Sequence, residues 1–523
     1  MKVGFYTTGN LPIQIGFYSE RCATMPHPRP IHSVFIATLL LVTILLLPLS
    51  TNAQFGGMGG GMGGMGGGMG GMGGGMGGGM GGMGGGMGGM GGGMGGGAGG
   101  IYVDPAGVLR VHFVMDPRGQ LTRQRLAEAR AGVEPELARP SKLRKISLNR
   151  LEAFIADRIA NGTGMTDDMK YLAGLTRLQY VFYYPETGDI VIAGPAEGYM
   201  HDLTGRVVGM HSGRSVLTLE DLVVALRAFP PTGSDTNVIS VSIDPTKEGL
   251  AQMQQFLRRM GGRVLPKDTY QLVFGLQKSL GLQTVTIKGI SPKTHFAHVL
   301  AEADYRMKLI GIGLEVPPVK ITSYVARANP SAVSRNALQR WYFTPNYESV
   351  RVSEDQLAME MVGEGVKLIG ANELVTGIGS RIQSNVVDRA SQLFVKSFTS
   401  KYAQLARKSP VFAQLRNLID MSIAAAFIRQ QDYYSQANWE MELFNNEAIF
   451  PVELLEEPKT VETAVNAIWK GKRLMTPIGG GINIQPRQAI TSERLLADDD
   501  DLLDQLHETV DIRNLEVDRW WWD

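Results

Sequence analysis

Apolar positions change period several times along the chain, and those changes outline its elements. Residues 101–114 alternate around a Pro-Ala-Gly turn, which predicts a hairpin. A second hairpin is predicted from 180–184 and 189–193 around Pro-Glu-Thr-Gly, and a third from 207–210 and 215–217. Helical spacing with start and stop signals predicts helices over 121–131, 148–161, 218–229, 244–260, 268–280 and 291–308. Strands are predicted at 238–243, 282–287, 309–314, 341–344, 349–352, 357–362 and 366–369. Apolar residues from 386 to 405 form a helical stripe within 382–407, and Pro410 opens a second helix to 430. The fold class this predicts is α+β, a mixed sheet with covering helices, followed by a helical hairpin.

The boundaries follow from the same pattern. The expected organisation is an α+β domain at 101–235, an α/β-type domain at 236–375, a helical hairpin at 376–436 and an irregular segment at 437–492. Ahead of them, residues 34–47 are fourteen uncharged, apolar positions. That is shorter than the roughly 20 residues a membrane span needs, and it is the length of a signal-peptide core. Arg29 precedes it, and Thr51-Asn52-Ala53 offers small residues for cleavage after Ala53. Residues 1–53 therefore read as a signal peptide, with Met25 an alternative start. The one cysteine, Cys22, lies upstream of that cut, so the expected mature chain has no thiol chemistry.

Between the signal and the first hairpin lies a tract unlike the rest. Residues 56–100 contain 33 glycines, and eleven methionines recur there at steps of three or four. The mean step matches a helix, but glycine costs about 1 kcal/mol per position relative to alanine. The expectation is a disordered arm over 54–100 that acts as a spacer. Its Met-x-x-Met pairs, Met62 with Met65 and Met69 with Met72, are candidate Cu(I) chelators.

Charge is near balance, at +1 overall, but it is unevenly placed. Residues 493–523 hold 11 acids and 3 arginines and end in Trp-Trp-Trp-Asp. Such a block predicts a solvated, disordered acidic tail, with indoles that anchor either a partner or the protein's own body. Three consecutive indoles cannot all bury on one strand or helix face. Arg123, Arg125, Arg130, Arg139, Lys142, Arg144, Lys145 and Arg150 form a basic run. It reads as a charged connector, a dock for the acidic tail, or a contact for an anionic envelope polymer or lipid. An exported protein seldom meets nucleic acid, so none is expected.

No compact catalytic motif is present. Gly209-Met210-His211-Ser212-Gly213 has its serine one place away from a nucleophile elbow. No His-Glu-x-x-His, phosphate-binding loop or calcium loop occurs, and no cofactor is expected. The candidate metal ligands are His295, His298 and Glu302. Their i, i+3, i+7 spacing puts them on one helix face, and the donor types suit zinc. The plainer reading is a polar helix face.

Four stretches carry a family resemblance: AEADYRMKLIGIGLEVPPVK at 301–320, RWYFTPNYESVRVSEDQLAMEMVGEGVKLIG at 340–370, PVFAQLRNLIDMSIAAAFI at 410–428 and TPIGGGINIQPRQAI at 476–490. Through them, over most of 240–490, the chain resembles the exported proteins of planctomycete-type bacteria that share a domain of unknown function. The resemblance implies an extracytoplasmic location and assigns no reaction.

The sequence thus points to an exported envelope protein that interacts or tethers and is not integral to the membrane once cleaved. Its partners would meet the basic run or the tail. The alternatives are an extracytoplasmic hydrolase whose carboxylates converge only in the fold, and a soft-metal binder acting through the methionines.

Overall fold

Short polar side chains fix where the helices begin. Ser147 Oγ accepts from Arg150 N, Thr218 from Asp221 N, Thr246 from Gly249 N and Thr294 from Ala297 N, each satisfying an amide that the helix leaves open. Downstream of these caps run Leu148–Ala160, Leu219–Ala228, Lys247–Met260 and His295–Gly311. The computed structural model describes residues 98–523 except 262–264, 329–336, 376–380, 384–387, 467, 471–472, 476–479, 509–511, 513–514 and 517–518. Residues 1–97, which hold the signal segment and the Gly/Met arm with its Met62, Met65, Met69 and Met72, lie outside the described residues; Ala98–Gly100, expected as the end of that arm, begin a strand instead.

The fold is α+β, built on two large sheets. The first has nine strands in the order Ala98–Val103, Val108–Val114, Thr460–Glu462, Leu282–Lys288, Ile239–Asp244, Gly481–Ile484, Ala337–Pro345, Val366–Val375 and Arg381–Gln383. Most neighbours are antiparallel; Gly481–Ile484 runs parallel to Ala337–Pro345, and Thr460–Glu462 parallel to Val108–Val114. The second sheet has seven strands in the order Leu496–Ala497, Val350–Val352, Ala358–Met361, Tyr180–Tyr184, Asp189–Ala196, Ser141–Ser147 and Trp521–Trp522. Each sheet draws strands from segments far apart along the chain. Residues 460–484, irregular in the sequence, supply two strands to the heart of the first sheet.

The core follows apolar volume. Helix Pro410–Gln430 is buried from Val411 to Ile428. Its length and apolarity would suit a membrane span, yet those eighteen residues all lie inside the protein, as in a core helix. Phe343, Phe394, Phe398, Tyr402 and Phe412 pack around one another beside it, with Phe343 and Phe398 5.4 Å apart. Trp341 is fully buried and donates its indole N–H to Ser391 Oγ at 2.9 Å.

Several expectations are corrected. Residues 309–314 are the end of helix His295–Gly311 and a turn, because Met307 and Ile310 continue a buried helical stripe and Gly313, at φ 76°, ends it. The helix expected over 382–407 starts at Arg389, capped by Asp388, and breaks at Lys401 before Tyr402–Ala406; 381–383 is strand. In the third hairpin, Val207–Gly209 pairs with Tyr199–His201, and Ser215 makes a single bridge to Val208.

The acidic tail is the largest correction. Its described residues are folded against the second sheet as a strap. Leu496–Ala497 adds to one edge beside Val350–Val352, helix Leu502–Glu508 follows, and Trp521–Trp522 closes the opposite edge against Lys145–Ile146. The acids are interleaved with Leu503, Ile512, Trp520 and Trp522, all buried. Burial of these side chains outweighs the solvation that the charge count suggested. The three indoles part company, as steric reasoning required. Trp520 joins the main core, Trp522 packs with Tyr180, Phe182 and Tyr184, and Trp521 lies half-buried beneath the Arg144 guanidinium, 4.6 Å from its carbon.

Candidate functional site

Helix His295–Gly311 carries the three sequence-predicted metal ligands, and the structure gives each a different partner. At its first turn, His295 Nδ1 lies 2.9 and 3.0 Å from the two oxygens of Asp221, which projects from the first turn of Leu219–Ala228. One turn on, His298 Nε2 donates to the Glu456 carbonyl at 2.8 Å. Glu302 pairs with Arg206 and, at 3.4 Å, with Arg306, which is held in turn by Glu315 at 2.7 Å. Gln414 links the two ends: its Oε1 accepts from Arg206 Nε at 2.9 Å, and its Nε2 sits 3.5 Å from His295 Nε2. Among the described residues, no group of three His, Cys, Asp or Glu is placed to hold a metal ion. The helix face that aligns these three side chains also aligns them with Asp221, Arg206 and a backbone carbonyl that no spacing rule reveals.

The result is a polar ladder, Asp221–His295–Gln414–Arg206–Glu302–Arg306–Glu315, in which neutral Gln414 separates the two basic groups His295 and Arg206. Burial disfavours protonated His295, but the Asp221 carboxylate outweighs it and the imidazole titrates above its usual value. His298 moves the other way, because burial dominates over its carbonyl contact. An Asp–His pair of this kind can orient a ring and hold a proton at Nε2. Among the described contacts, however, the group nearest Nε2 is the Gln414 amide.

The basic run does not form one surface. Arg144 and Lys145 are buried. Arg144 donates to Asp523 at 2.7 and 2.9 Å and to the carbonyls of Leu137, Ala173, Glu136 and Arg139. Lys145 Nζ donates to Tyr184 Oη at 3.1 Å and the Leu506 carbonyl at 2.8 Å. Burial lowers the Lys145 pKa to about 8. Arg150 binds Asp189 at 2.8 and 2.9 Å, and Arg125 reaches the Asp202 carbonyl. The centre of the run therefore docks the acidic tail.

One surface was not singled out in the sequence. Helices Lys247–Met260 and Thr269–Leu280 form a hairpin with its own core of Leu250, Met253, Leu272, Leu276, Leu280 and Val465. Leu272, Leu276 and Leu280 face inward at a spacing of four, so the opposite face of the second helix carries Tyr270, Phe274 and Lys278. Tyr270 is 80% exposed and Phe274 56%, their rings stacked at 6.3 Å and 7°. Leu265, in the connection, is 52% exposed. An open depression on the first helix is lined by Ala251, Gln252, Gln255, Arg258 and Arg259. The signal was present in the sequence: aromatics at i and i+4, out of phase with the leucine stripe.

Residues 241–324 match a family described as "Protein of unknown function (DUF1598)". No curated protein and no solved structure matches the chain. The matched segment runs from strand Ile239–Asp244 through the helical hairpin and helix His295–Gly311 to Tyr324, so it contains the exposed aromatic face and four of the seven ladder residues, His295, Glu302, Arg306 and Glu315.

Proposed function

We propose that this chain is an exported cell-envelope protein that works by contact, with the helical hairpin Lys247–Leu280 as its contact surface. The observation that carries the reading is the stacked, solvent-facing pair Tyr270 and Phe274, within the segment that matches a family. Large exposed aromatics standing together mark interaction surfaces, because leaving them in water forgoes burial energy. The apolar run at 34–47 supports export, and the Gly/Met arm supports a role at a distance from an anchor or neighbour.

The test is fractionation of the tagged chain from its native cells. The wild type is expected with the envelope, and a Tyr270→Ala/Phe274→Ala variant is expected to shift into the soluble exported fraction. A variant that fractionates as the wild type does would remove this surface from the function.

A second reading, an extracytoplasmic hydrolase, is favoured by one feature, the Asp221–His295 pair. It requires a hydrolytic activity, found by substrate screening, that His295→Ala abolishes while the protein remains folded.

A further inference from the structure

The hairpin that carries the aromatic face has a local excess of positive charge. Residues 247–280 contain six basic and two acidic residues, a net charge of +4 in a chain whose total is +1. Arg258, Arg259, Lys267 and Lys278 are exposed. Lys278 lies one turn beyond Phe274 and two beyond Tyr270 on the same helix face. Asp268, one of the two acids, accepts the Leu265 amide at 3.0 Å. The outer face of the second helix thus presents Tyr270, Phe274 and Lys278, and the connection just ahead of it exposes Leu265 and Lys267.

We propose that this hairpin lies on an anionic lipid bilayer through the outer face of its second helix, with Leu265 and Phe274 entering the acyl boundary, Tyr270 at the headgroup level and Lys278 and Lys267 against lipid phosphates. The inference rests on the reading of the hairpin as the contact surface. Phe274 and Leu265 have no polar atom on their side chains, so they need an apolar acceptor. An anionic polysaccharide supplies charge without one. A second copy of the same face would set Lys278 and Lys267 against like charge. An anionic bilayer supplies both an apolar layer and negative charge, which is the pattern that interfacial helices use. The hairpin's own core leaves the outer face free while its inner face packs on Val465 and its neighbours.

The experiment is flotation of the purified protein with phosphatidylglycerol vesicles and with phosphatidylcholine vesicles, at low and high salt. Binding is expected to phosphatidylglycerol, to weaken in salt and to be much weaker to phosphatidylcholine. Lys278→Glu changes the local charge by two and should weaken binding about 30-fold, from roughly 1 kcal/mol per charge at the surface. Tyr270→Ala/Phe274→Ala should abolish flotation, with hydrogen exchange in the 250–280 core unchanged as a check on folding. Wild-type protein that ignores phosphatidylglycerol overturns the lipid assignment, as does a dimer by native mass that Tyr270→Ala dissolves. If fractionation still depends on Tyr270 and Phe274 in that case, the contact surface stands and only its partner was misassigned. If neither assay depends on them, both fall.

Discussion

Trp522→Ala tests whether the strap closes the second sheet as described. The indole is 3% exposed and packs among Tyr180, Phe182, Tyr184, Leu503 and Ile512. Truncating a buried tryptophan costs about 3–5 kcal/mol, the sum of lost transfer energy and the cavity left behind. The Nε1–H of Trp522 has no hydrogen-bond partner among the described residues, so the substitution breaks no polar contact described for that side chain. The strap is a peripheral element, and such elements open locally, so the loss should fall on it before the whole fold. At 1.4 kcal/mol per factor of ten, the open population should rise about 100-fold or more. Hydrogen exchange with mass spectrometry on the intact protein reads this directly, in peptides covering Ser141–Ser147 and 519–523. Peptides from strand Ile239–Asp244, in the other sheet, should not change. Trp522→Phe keeps a ring and deletes the unsatisfied donor, so its cost should be smaller, about 1 kcal/mol or less. Exchange in Ser141–Ser147 that stays within about threefold of wild type after Trp522→Ala, below 1 kcal/mol, would refute this account of the edge.

Three further outcomes follow from the buried charges and one glycine. Lys145 titrates at about 8 in the fold and at its ordinary 10.5 when unfolded, so the unfolded chain holds the extra proton between these values. Stability should therefore rise as pH climbs from about 8 to about 10, and Lys145→Met should flatten that slope in urea titrations. Burial raises Asp304 and Asp420 to about 6, against the opposing pull of Lys308 and of Arg177 and Arg416, and one oxygen of each carboxyl has no hydrogen-bond partner among the described residues. Here the folded state binds the proton first, so these two groups add stability as pH falls from about 7 to about 5; Asp420→Asn should remove its share of that gain. Gly174→Ala should destabilise by at least about 1–2 kcal/mol, seen as a lower urea midpoint. Its φ of 79° disfavours any side chain, and the new Cβ would meet the Glu197 carbonyl.

Local rules recovered most of the elements and few of the connections. The hairpin Tyr180–Tyr184 with Asp189–Ala196 was legible because Gly188, at φ 73°, completes a turn that sequence chemistry specifies. Helix starts at Ser147, Thr218 and Thr246 were legible for the same reason. The pairing of Trp521–Trp522 with Lys145–Ile146 was not, because nothing local marks which distant strand edge an indole pair will join. For the run holding Arg144 and Lys145 the sequence left a connector, a dock for the tail and an envelope contact open, since their partners, Asp523 and a set of carbonyls, come together only in the folded arrangement. His295, His298 and Glu302 do share the helix predicted for them, but their partners come from Asp221, Glu456 and Arg206. Tyr270 and Phe274 could have been found from phase alone, had the apolar residues of that helix been divided into two faces.

The strap also bears on how the protein avoids sticking to itself while it forms. Strand Ser141–Ser147 is synthesised long before Trp521–Trp522, so its outer edge stands open for most of that interval. An open edge is a template on which a neighbouring chain can zip up as an extra strand. Arg144 and Lys145 sit on that strand, and two cations repel a like copy and resist desolvation by a wrong one. The correct segment brings what they lack: a carboxylate at Asp523 for one and the Leu506 carbonyl for the other. The same two side chains are gatekeepers of a nascent edge first and interior ligands of the finished sheet afterwards.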